Sequence, residues 1–214
     1  GAQALSKYGV NVIGIPATID NDIVCTDYTI GFDTASNTAV DSIDKLRDTM
    51  QSHERCSVVE VMGRNAGHLA LDVGIAVGAT AVLVPELPMD FNRDVIEKIR
   101  RARLAGKTHY MIVVAEGAGS AFEIGDRIRE EIGLDPRVTI LGHIQRGGTP
   151  SVRDRTMATR MGYTAVEVLA AGKTNRVVCA RQGEMIDVDI DEGLAMKKGL
   201  NLHQTAVLEA MTGL

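Results

Sequence analysis

Short apolar runs of strand length alternate along this chain with longer segments in which apolar residues recur every three or four positions. The apolar runs occupy residues 10–16, 56–62, 79–86, 109–115, 137–142 and 176–181. The segments with helical spacing occupy residues 33–50, 69–77, 90–105, 121–132, 154–171 and the tail from 191, and Asp33 is placed to cap the first of them. This alternation predicts βαβ units and mostly parallel sheets with helices on both faces, so the predicted fold class is α/β.

The composition narrows the class of protein without identifying it. Aromatic residues make up 3% of the 214 and tryptophan is absent, so the core must be aliphatic. The net charge of -5 gives a nucleic-acid partner little electrostatic support. No apolar run is long enough for a membrane span, and the three cysteines show neither zinc-binding spacing nor a CxxC pair. We therefore expect a cytoplasmic protein with reduced thiols that binds neither membranes nor nucleic acid.

Distinctive polar motifs follow four of the predicted strands. They are TIDND after 10–16, GRNAGH after 56–62, EG after 109–115 and GHIQRGG after the run that begins at Arg137. Ligands of open α/β sheets bind at the carboxyl ends of the strands. The convergence of four motifs on that edge is stronger support for a functional site than any one motif.

The TIDND motif places Asp20 and Asp22 two residues apart, with Asn21 between them. In an extended segment both carboxylates face one side, where one can take a proton from an attacking hydroxyl while the other lies near a hydrated Mg²⁺. A polar turn, in which Asx side chains accept backbone N–H groups, is the favoured interpretation of the motif alone. With the other three motifs beside it, we interpret the pair as catalytic.

Two glycine-containing motifs are candidate anion sites. MGRNAGH places Arg64 between Gly63 and Gly67 at a strand-to-helix junction, where backbone N–H groups and a helix N-terminus attract phosphate. GHIQRGG places His143 and Arg146 three residues apart, which suits a sugar-phosphate clamp. The alternative for the first motif is a tight turn with a solvated arginine, and for the second a turn with a hydrogen-bonded histidine.

Three further charged residues stand at the ends of predicted strands. Glu116 ends an apolar run and can accept hydrogen bonds from sugar hydroxyls; the alternative is a helix-capping or solvated acid. Arg55 and Arg137 each precede a strand, and their position alone favours ordinary surface cations.

Taken together, these motifs resemble the 6-phosphofructokinase family, of the bacterial ATP-dependent type. The segments that carry the resemblance are GIPATIDNDI, TDYTIGFDTA, SVVEVMGRNAGHLAL, VVAEG and VTILGHIQRGGTPSVRDR, in the family's order over nearly the whole chain. The resemblance implies two Rossmann-like lobes. It also implies transfer of the γ-phosphoryl group of Mg·ATP to the 1-hydroxyl of fructose 6-phosphate, which gives fructose 1,6-bisphosphate in glycolysis.

The resemblance implies roles for individual residues. Asp20 is the general base, Thr18 contacts the transferring group, Asp22 supports the Mg²⁺, and Arg64 stabilises the phosphoryl group. The residues implied in substrate binding are Arg55, Met62, Gly63, Glu116, Arg137, His143 and Arg146. Arg55 and Arg137 match arginines that reach the sugar phosphate of a neighbouring subunit, which makes a homo-oligomer, a tetramer, part of the expectation.

The chain departs from the family's pattern in its extent. The glycine-rich nucleotide loops of the family's N-terminal third are absent from it, and GAQALSKYG would follow directly after the last of them. Residues 1–31 and 145–195 then match the remainder of the nucleotide-binding domain, and residues 32–144 and 196–214 match the fructose 6-phosphate domain. We therefore expect a fragment that is inactive or very weak alone.

Two other departures concern the phosphoryl donor and the effector. Ala17 stands where pyrophosphate-dependent relatives usually carry lysine, which favours ATP. Arg47 and Lys107 match the effector site of regulated bacterial members. Thr80, Ala105 and Thr108 replace an acidic residue and two lysines there, which argues against control by ADP or phosphoenolpyruvate.

Two rival functions stay open at this point. The first is a pyrophosphate-dependent phosphofructokinase, and the second is a non-catalytic module that binds sugar phosphates. The presence of Asp20, Asp22 and Arg64 argues against the second for the parent protein.

Overall fold

The computed structural model describes residues 1–48 and 55–212, and the chain divides into two compact units. The first unit consists of Gly1–Thr34 and Thr149–Gly199, and the second of Ala35–Gly148 and Leu200–Leu214. The assignment of a nucleotide role to one part of the chain and a sugar role to the other remains a prediction.

Eight α-helices and seven strands are found in the described part of the chain. The helices are α1 (Ala2–Ser6), α2 (Phe32–Asp48), α3 (His68–Ala76), α4 (Glu97–Leu104), α5 (Ala121–Ile132), α6 (Val152–Ala170), α7 (Ile190–Ala195) and α8 (Leu202–Thr212). The strands are β1 (Ile13–Gly14), β2 (Arg55–Val61), β3 (Ala81–Leu83), β4 (His109–Ala115), β5 (Arg137–Ile140), β6 (Arg176–Arg181) and β7 (Glu184–Asp189).

The second unit contains a fully parallel sheet with the strand order β3-β4-β2-β5. The central strand β4 is buried along nearly its whole length, which explains why it reads as a continuous apolar run rather than an alternating one. The core around this strand is aliphatic apart from Cys56, Phe91 and Tyr110. The prediction of an α/β fold with mostly parallel sheets is therefore confirmed.

The first unit contains a three-stranded sheet with the order β1-β6-β7, in which β7 is antiparallel to β6. The strand β7 is absent from the predicted elements. It is joined to β6 by Gln182 and Gly183, whose φ angles of 50° and 87° both lie in the left-handed region, as a tight hairpin requires. Gln-Gly is a weaker hairpin signal than Asn-Gly, so this turn is difficult to predict from the sequence.

Three predicted elements are corrected by the structure. The helix predicted over 33–50 is α2, which begins at Phe32. Asp33 therefore lies in its first turn and does not cap it. Residues 49–50 lie outside the described part. The helix predicted over 90–105 begins with a π-helical turn, Asn92–Ile96, before α4. The predicted helical tail is two helices, α7 and α8, with residues 196–201 between them.

Candidate functional site

Three of the four sequence motifs follow strands of the parallel sheet in the second unit. MGRNAG follows β2, Glu116 follows β4, and the segment Gly142–Arg146 follows β5 and forms a short 3-10 helix. Because the strands are parallel, these segments leave the sheet at the same edge. The fourth motif, TIDND, belongs to the first unit.

The loop of residues 62–67, called here the arginine loop, is held through its backbone by side chains from the neighbouring connections. Gln145 accepts a hydrogen bond of 2.8 Å from the N–H of Met62. Oε1 of Glu116 accepts from the N–H groups of Gly63, at 3.2 Å, and Arg64. The carboxylate of Glu86 accepts from the N–H of Gly67 at 2.8 and 3.1 Å. Residues after β5, β4 and β3 thus fix the loop after β2.

The backbone of the arginine loop requires glycine at one position and bends at the next. Gly63 has φ 151°, and a Cβ atom there would lie 2.4 Å from the carbonyl oxygen of Ala66. Arg64 has φ 57°, in the left-handed region that non-glycine residues seldom adopt. Such strain persists only where the surroundings enforce it, and here the enforcement comes from the carboxylate of Glu116. The side chain of Arg64 is exposed.

The 3-10 helix after β5 presents His143 and Arg146 one turn apart. A 3-10 helix has about three residues per turn, so these two side chains lie on the same face, and both are exposed. Gln145 points the other way and is 1% exposed. Its Nε2 atom is buried and has no hydrogen-bond partner among residues 1–48 and 55–212.

The two arginines predicted before strands lie at the opposite edge of this sheet. Arg137 is exposed at the first position of β5, and Arg55 is the first residue of β2. The backbone of Arg55 is described, whereas its side chain lies outside the described part. The structure therefore does not bring this pair to the edge that carries His143 and Arg146.

The acidic segment, residues 18–27, is folded by hydrogen bonds from its own polar groups and from Thr29. Asp20 is 6% exposed, and its N–H donates to Oγ1 of Thr18 at 3.2 Å. Thr29 donates to the carbonyl of Thr18 at 2.6 Å and lies 3.4 Å from Oδ1 of Asn21. The φ of Asn21 is 51°, so the chain bends between the two aspartates. The extended arrangement considered for Asp20 and Asp22 is therefore wrong.

Lys198 also contacts the acidic segment, although the sequence motifs give no indication of it. Its Nζ donates to the carbonyl oxygens of Asn21 at 2.6 Å and Thr26 at 2.9 Å. Burial lowers the pKa of Lys198, and the nearby carboxylates of Asp27 and Asp22 offset part of that effect. The sequence does not distinguish Lys198 from its neighbour Lys197, because the contact joins residues about 170 positions apart.

Arg47 and Lys107, the two residues matched to an effector site, line one cavity of about 240 Å³ in the second unit. Thr80 and His109 also line it. Arg47 donates a hydrogen bond to the carbonyl of Val77, at one wall. The Nδ1 atom of His109 is buried without a partner in the described ranges 1–48 and 55–212. The cavity therefore places two cationic side chains, Arg47 and Lys107, beside His109.

The described residues contain neither a candidate membrane span nor a cluster of candidate metal ligands. No helix there is long and apolar enough to cross a membrane. No group of three or more His, Cys, Asp or Glu side chains in the same residues is arranged to hold a metal ion.

Comparison with known proteins identifies close relatives. The phosphofructokinase family profile matches residues 1–169. The ATP-dependent 6-phosphofructokinase of Clostridium acetobutylicum is 54% identical over 201 residues, which cover 94% of this chain and 63% of that protein. The enzyme of the same name from Clostridium botulinum strain Loch Maree is 54% identical over 202 residues, with the same coverage. This chain thus spans about 63% of the length of these curated relatives.

Solved structures give the same result at the level of the fold. The phosphofructokinase from Saccharomyces cerevisiae matches with a TM-score of 0.82 and 33% identity, over 95% of this chain and 28% of that one. A pyrophosphate-dependent phosphofructokinase from Marinobacter aquaeolei matches with a TM-score of 0.77 over 94% of this chain and 57% of that one. Its identity of 23% supports a shared fold alone.

Proposed function

This chain belongs to the phosphofructokinase family, and from that premise we propose that it takes part in phosphoryl transfer from Mg·ATP to the 1-hydroxyl of fructose 6-phosphate. The products are fructose 1,6-bisphosphate and ADP, and the reaction is a step of glycolysis. The observation that carries the proposal is the arginine loop, whose backbone is fixed by Gln145, Glu116 and Glu86 at the carboxyl edge of a parallel sheet.

The residues of the second unit provide the sugar-phosphate contacts in this proposal. His143 and Arg146 share one face of the 3-10 helix and clamp the 6-phosphate. Glu116 accepts hydrogen bonds from sugar hydroxyls, in addition to those from the arginine loop. Met62 and Gly63 line the sugar site, and Arg64 stabilises the transferring phosphoryl group through charge-assisted hydrogen bonds.

The acidic segment of the first unit provides the base. Asp20 takes the proton of the 1-hydroxyl as its oxygen forms a bond to the γ-phosphorus, while the bond from that phosphorus to the leaving ADP oxygen breaks. Thr18 contacts the transferring group. The burial of Asp20 and its local hydrogen bond support this role, because a general base acts only from a fixed position.

The donor set of the chain fits a magnesium ion that arrives with the nucleotide. Mg²⁺ keeps several waters and takes one or two carboxylates together with substrate phosphates, so a cage of three protein ligands is unnecessary. Asp22 is partly exposed beside Asp20 and is the residue that would support the ion. The ion neutralises charge that develops on the phosphates.

ATP is the proposed donor because the two curated relatives described above are named as ATP-dependent enzymes. Ala17 is consistent with that choice. Pyrophosphate is the alternative donor, and a comparison of ATP and pyrophosphate as substrates of the same preparation separates the two.

Assembly and control are further parts of the proposal. Arg55 and Arg137, at the edge of the sheet away from His143, would complete the site of a neighbouring subunit in a homotetramer. Arg47 and Lys107 would bind the phosphate of an effector in the cavity that they line, although the replacements at Thr80, Ala105 and Thr108 argue against ADP or phosphoenolpyruvate as that effector. We also propose that the chain is inactive or very weak by itself, because it spans about 63% of its relatives.

Calorimetric titration of this chain with fructose 6-phosphate tests the proposal directly, with fructose as the control ligand. We expect binding of the phosphorylated sugar alone, and loss of that binding in the double variant His143→Ala and Arg146→Ala. Binding of neither sugar by a chain whose circular dichroism shows it to be folded would count against the assignment of the sugar site to this chain.

A second experiment separates an enzyme from a binding module. This chain is joined to the part of the Clostridium acetobutylicum relative that it does not match, and turnover is measured with and without Asp20→Asn. Removal of a general base is expected to reduce turnover by about 10²–10⁴-fold. Turnover that survived the substitution would show that Asp20 is not the base.

A further inference from the structure

The acidic segment contains three carboxylates, Asp20, Asp22 and Asp27, within eight positions. Their mutual repulsion disfavours a compact conformation. The bend at Asn21 adds backbone strain, because a non-glycine residue with φ 51° is held in the left-handed region. Some group outside the segment must therefore stabilise it.

Both sides of the segment are tied to other parts of the first unit. At the C-terminal end of the segment, the N–H of Asp27 donates to the carbonyl of Ala180 in β6 at 2.8 Å, and the N–H of Ala180 donates to Oγ1 of Thr26 at 3.0 Å. At the N-terminal end, the carbonyl of Thr18 accepts a hydrogen bond from the hydroxyl of Thr29. The middle of the segment, around Asn21 and Ile23, has only longer hydrogen bonds of its own: Nδ2 of Asn21 donates to the carbonyl of Asp27 at 3.3 Å, and the N–H of Thr26 donates to that of Ile23 at 3.4 Å. A closer contact there comes from another group.

Lys198 occupies that position. Its Nζ lies 2.6 Å from the carbonyl oxygen of Asn21, 2.9 Å from that of Thr26 and 3.5 Å from that of Ile23. It also lies 3.2 Å from Oδ1 of Asn21. Three of these oxygens are backbone carbonyls and the fourth is the side-chain amide oxygen of Asn21. Because the loop does not pair with a strand at these positions, the ammonium group provides hydrogen-bond donors for its carbonyls.

An ammonium group suits this role in two respects. It carries three N–H donors and no acceptor, so it can bind several convergent carbonyl oxygens at once. It also brings one positive charge close to Asp22 and Asp27, the two carboxylates that interact with it electrostatically. The same group therefore offsets both the repulsion and the unsatisfied carbonyls.

From these contacts we infer that Lys198 is a positioning residue, which fixes the backbone of the acidic segment around Asp20. The inference rests on the proposed function only in naming Asp20 as the base, since the contacts themselves do not depend on the reaction. Lys198 acts through the segment, and no contact between Lys198 and a substrate is required.

The test is amide hydrogen exchange on the full chain, with Lys198→Met and Lys197→Met as a matched pair. Methionine keeps an unbranched side chain of similar length and removes the charge. Lys197 is the exposed neighbour, so its substitution changes the net charge equally. We expect the amides of residues 20–27 to exchange about tenfold faster in Lys198→Met and within about twofold of the parent in Lys197→Met.

Two further measurements distinguish positioning from a general loss of stability. The free energy of unfolding of Lys198→Met in urea should fall by no more than about 1.4 kcal/mol, the equivalent of that tenfold change in exchange, and Lys198→Arg should restore most of the protection because it returns the charge and the donors. Faster exchange throughout the first unit, an unchanged segment, or equal effects of the two methionine variants would each overturn the inference.

Titration with fructose 6-phosphate accompanies these measurements and keeps the inference separate from the proposed function. The sugar-phosphate residues belong to the second unit, so Lys198→Met should bind the sugar phosphate as the parent does. If the parent chain binds no sugar phosphate, the proposed function fails, while the exchange data still decide the role of Lys198.

Discussion

The phenol hydroxyl of Tyr28 donates a hydrogen bond of 2.5 Å to Oδ1 of Asp154, a residue 126 positions later in the chain. Asp154 is 2% exposed and also accepts from the N–H groups of Gly31, at 2.7 Å, and Thr34, at 2.9 Å, and from the hydroxyl of Thr34. It lies in the first turn of α6, where Ser151 caps the helix. One carboxylate thus joins α6 to the segment that leads into α2.

Asp154→Asn should strongly destabilise the first unit. The substitution replaces one acceptor oxygen by an NH₂ group that faces hydrogen-bond donors, and it removes the charge that strengthens each bond. We expect the free energy of unfolding in urea to fall by about 3 kcal/mol. Asp48→Asn, which alters an exposed carboxylate on α2, should change it by less than about 0.5 kcal/mol. Similar effects of the two substitutions would contradict this account of the Asp154 contacts.

The effect of Asp154→Asn should depend on pH. Burial by itself raises the pKa of Asp154, but the hydrogen bonds from Thr34, Tyr28 and Gly31 outweigh it and hold the pKa below its usual value. A carboxyl group with a lowered folded-state pKa stabilises the fold above the unfolded pKa of about 3.9, and that contribution is lost as the pH falls through the folded value. The difference in unfolding free energy between the parent and Asp154→Asn should therefore shrink below about pH 4.

The pH dependence is measured by urea unfolding at several values between pH 7 and pH 3. Asp187, whose pKa is lowered by Lys173 and Arg176, is present in both proteins. Its contribution therefore cancels in the difference in unfolding free energy between the parent and Asp154→Asn. A difference that grew as the pH fell would mean that the Asp154 carboxyl is protonated in the native state.

The elements that the sequence predicted best are those whose signals are local. The prediction for α5 agrees with the structure at both ends, because Ser120 accepts a hydrogen bond from the N–H of Glu123 and Gly133 has a φ of 70°. The strand β4 likewise matches its apolar run. Caps and periodicity involve residues within a few positions of each other, so one sequence is enough to find them.

The features that could not be predicted depend on contacts across long stretches of chain. Lys198 with Asn21 and Gln145 with Met62 are separated by 177 and 83 residues, and no local pattern marks either pair. Glu116 was singled out by the sequence, but its hydrogen bonds to the arginine loop arise from the pairing of β2 with β4. Motifs therefore identified candidate residues, whereas the groups that fix them in place required the fold.

Gln145→Met should weaken sugar-phosphate binding without a large loss of stability. The substitution leaves the N–H of Met62 without its acceptor, which costs about 1–3 kcal/mol, but it also removes the buried Nε2 atom that lacks a partner in the described residues. The lost hydrogen bond lowers the free energy of unfolding and the removal of the Nε2 atom raises it. Only the lost hydrogen bond loosens the arginine loop. We expect about tenfold weaker binding of fructose 6-phosphate by calorimetry, or about 1.4 kcal/mol.

Ile144→Ser provides the control on the same 3-10 helix, since Ile144 is 56% exposed. Its affinity for fructose 6-phosphate should stay within about twofold of the parent, or about 0.4 kcal/mol. If Gln145→Met bound the sugar phosphate as tightly as Ile144→Ser, the hydrogen bond to Met62 would have no part in shaping the site.

Adding one methyl group should have opposite effects at Gly117 and Gly162. A Cβ atom at Gly117 would lie 2.5 Å from the carbonyl oxygen of Arg64 and 3.2 Å from the Cα of Asn65, so Gly117→Ala must displace the arginine loop. At Gly162, within α6, an added Cβ would meet no atom of the described residues within 4 Å beyond its chain neighbours and the adjacent backbone of its own helix. Alanine favours a helix interior over glycine by about 1 kcal/mol, so Gly162→Ala should be neutral or stabilising.

Urea unfolding and titration with fructose 6-phosphate measure both glycine variants. Gly117→Ala should lower the free energy of unfolding by about 1–3 kcal/mol, as expected for overpacking, and should weaken sugar-phosphate binding. Gly162→Ala should leave that binding unchanged. A tolerated Gly117→Ala would mean that the arginine loop can move away from β4 at little cost, and the fixed loop on which the proposed sugar site depends would then lose its main support.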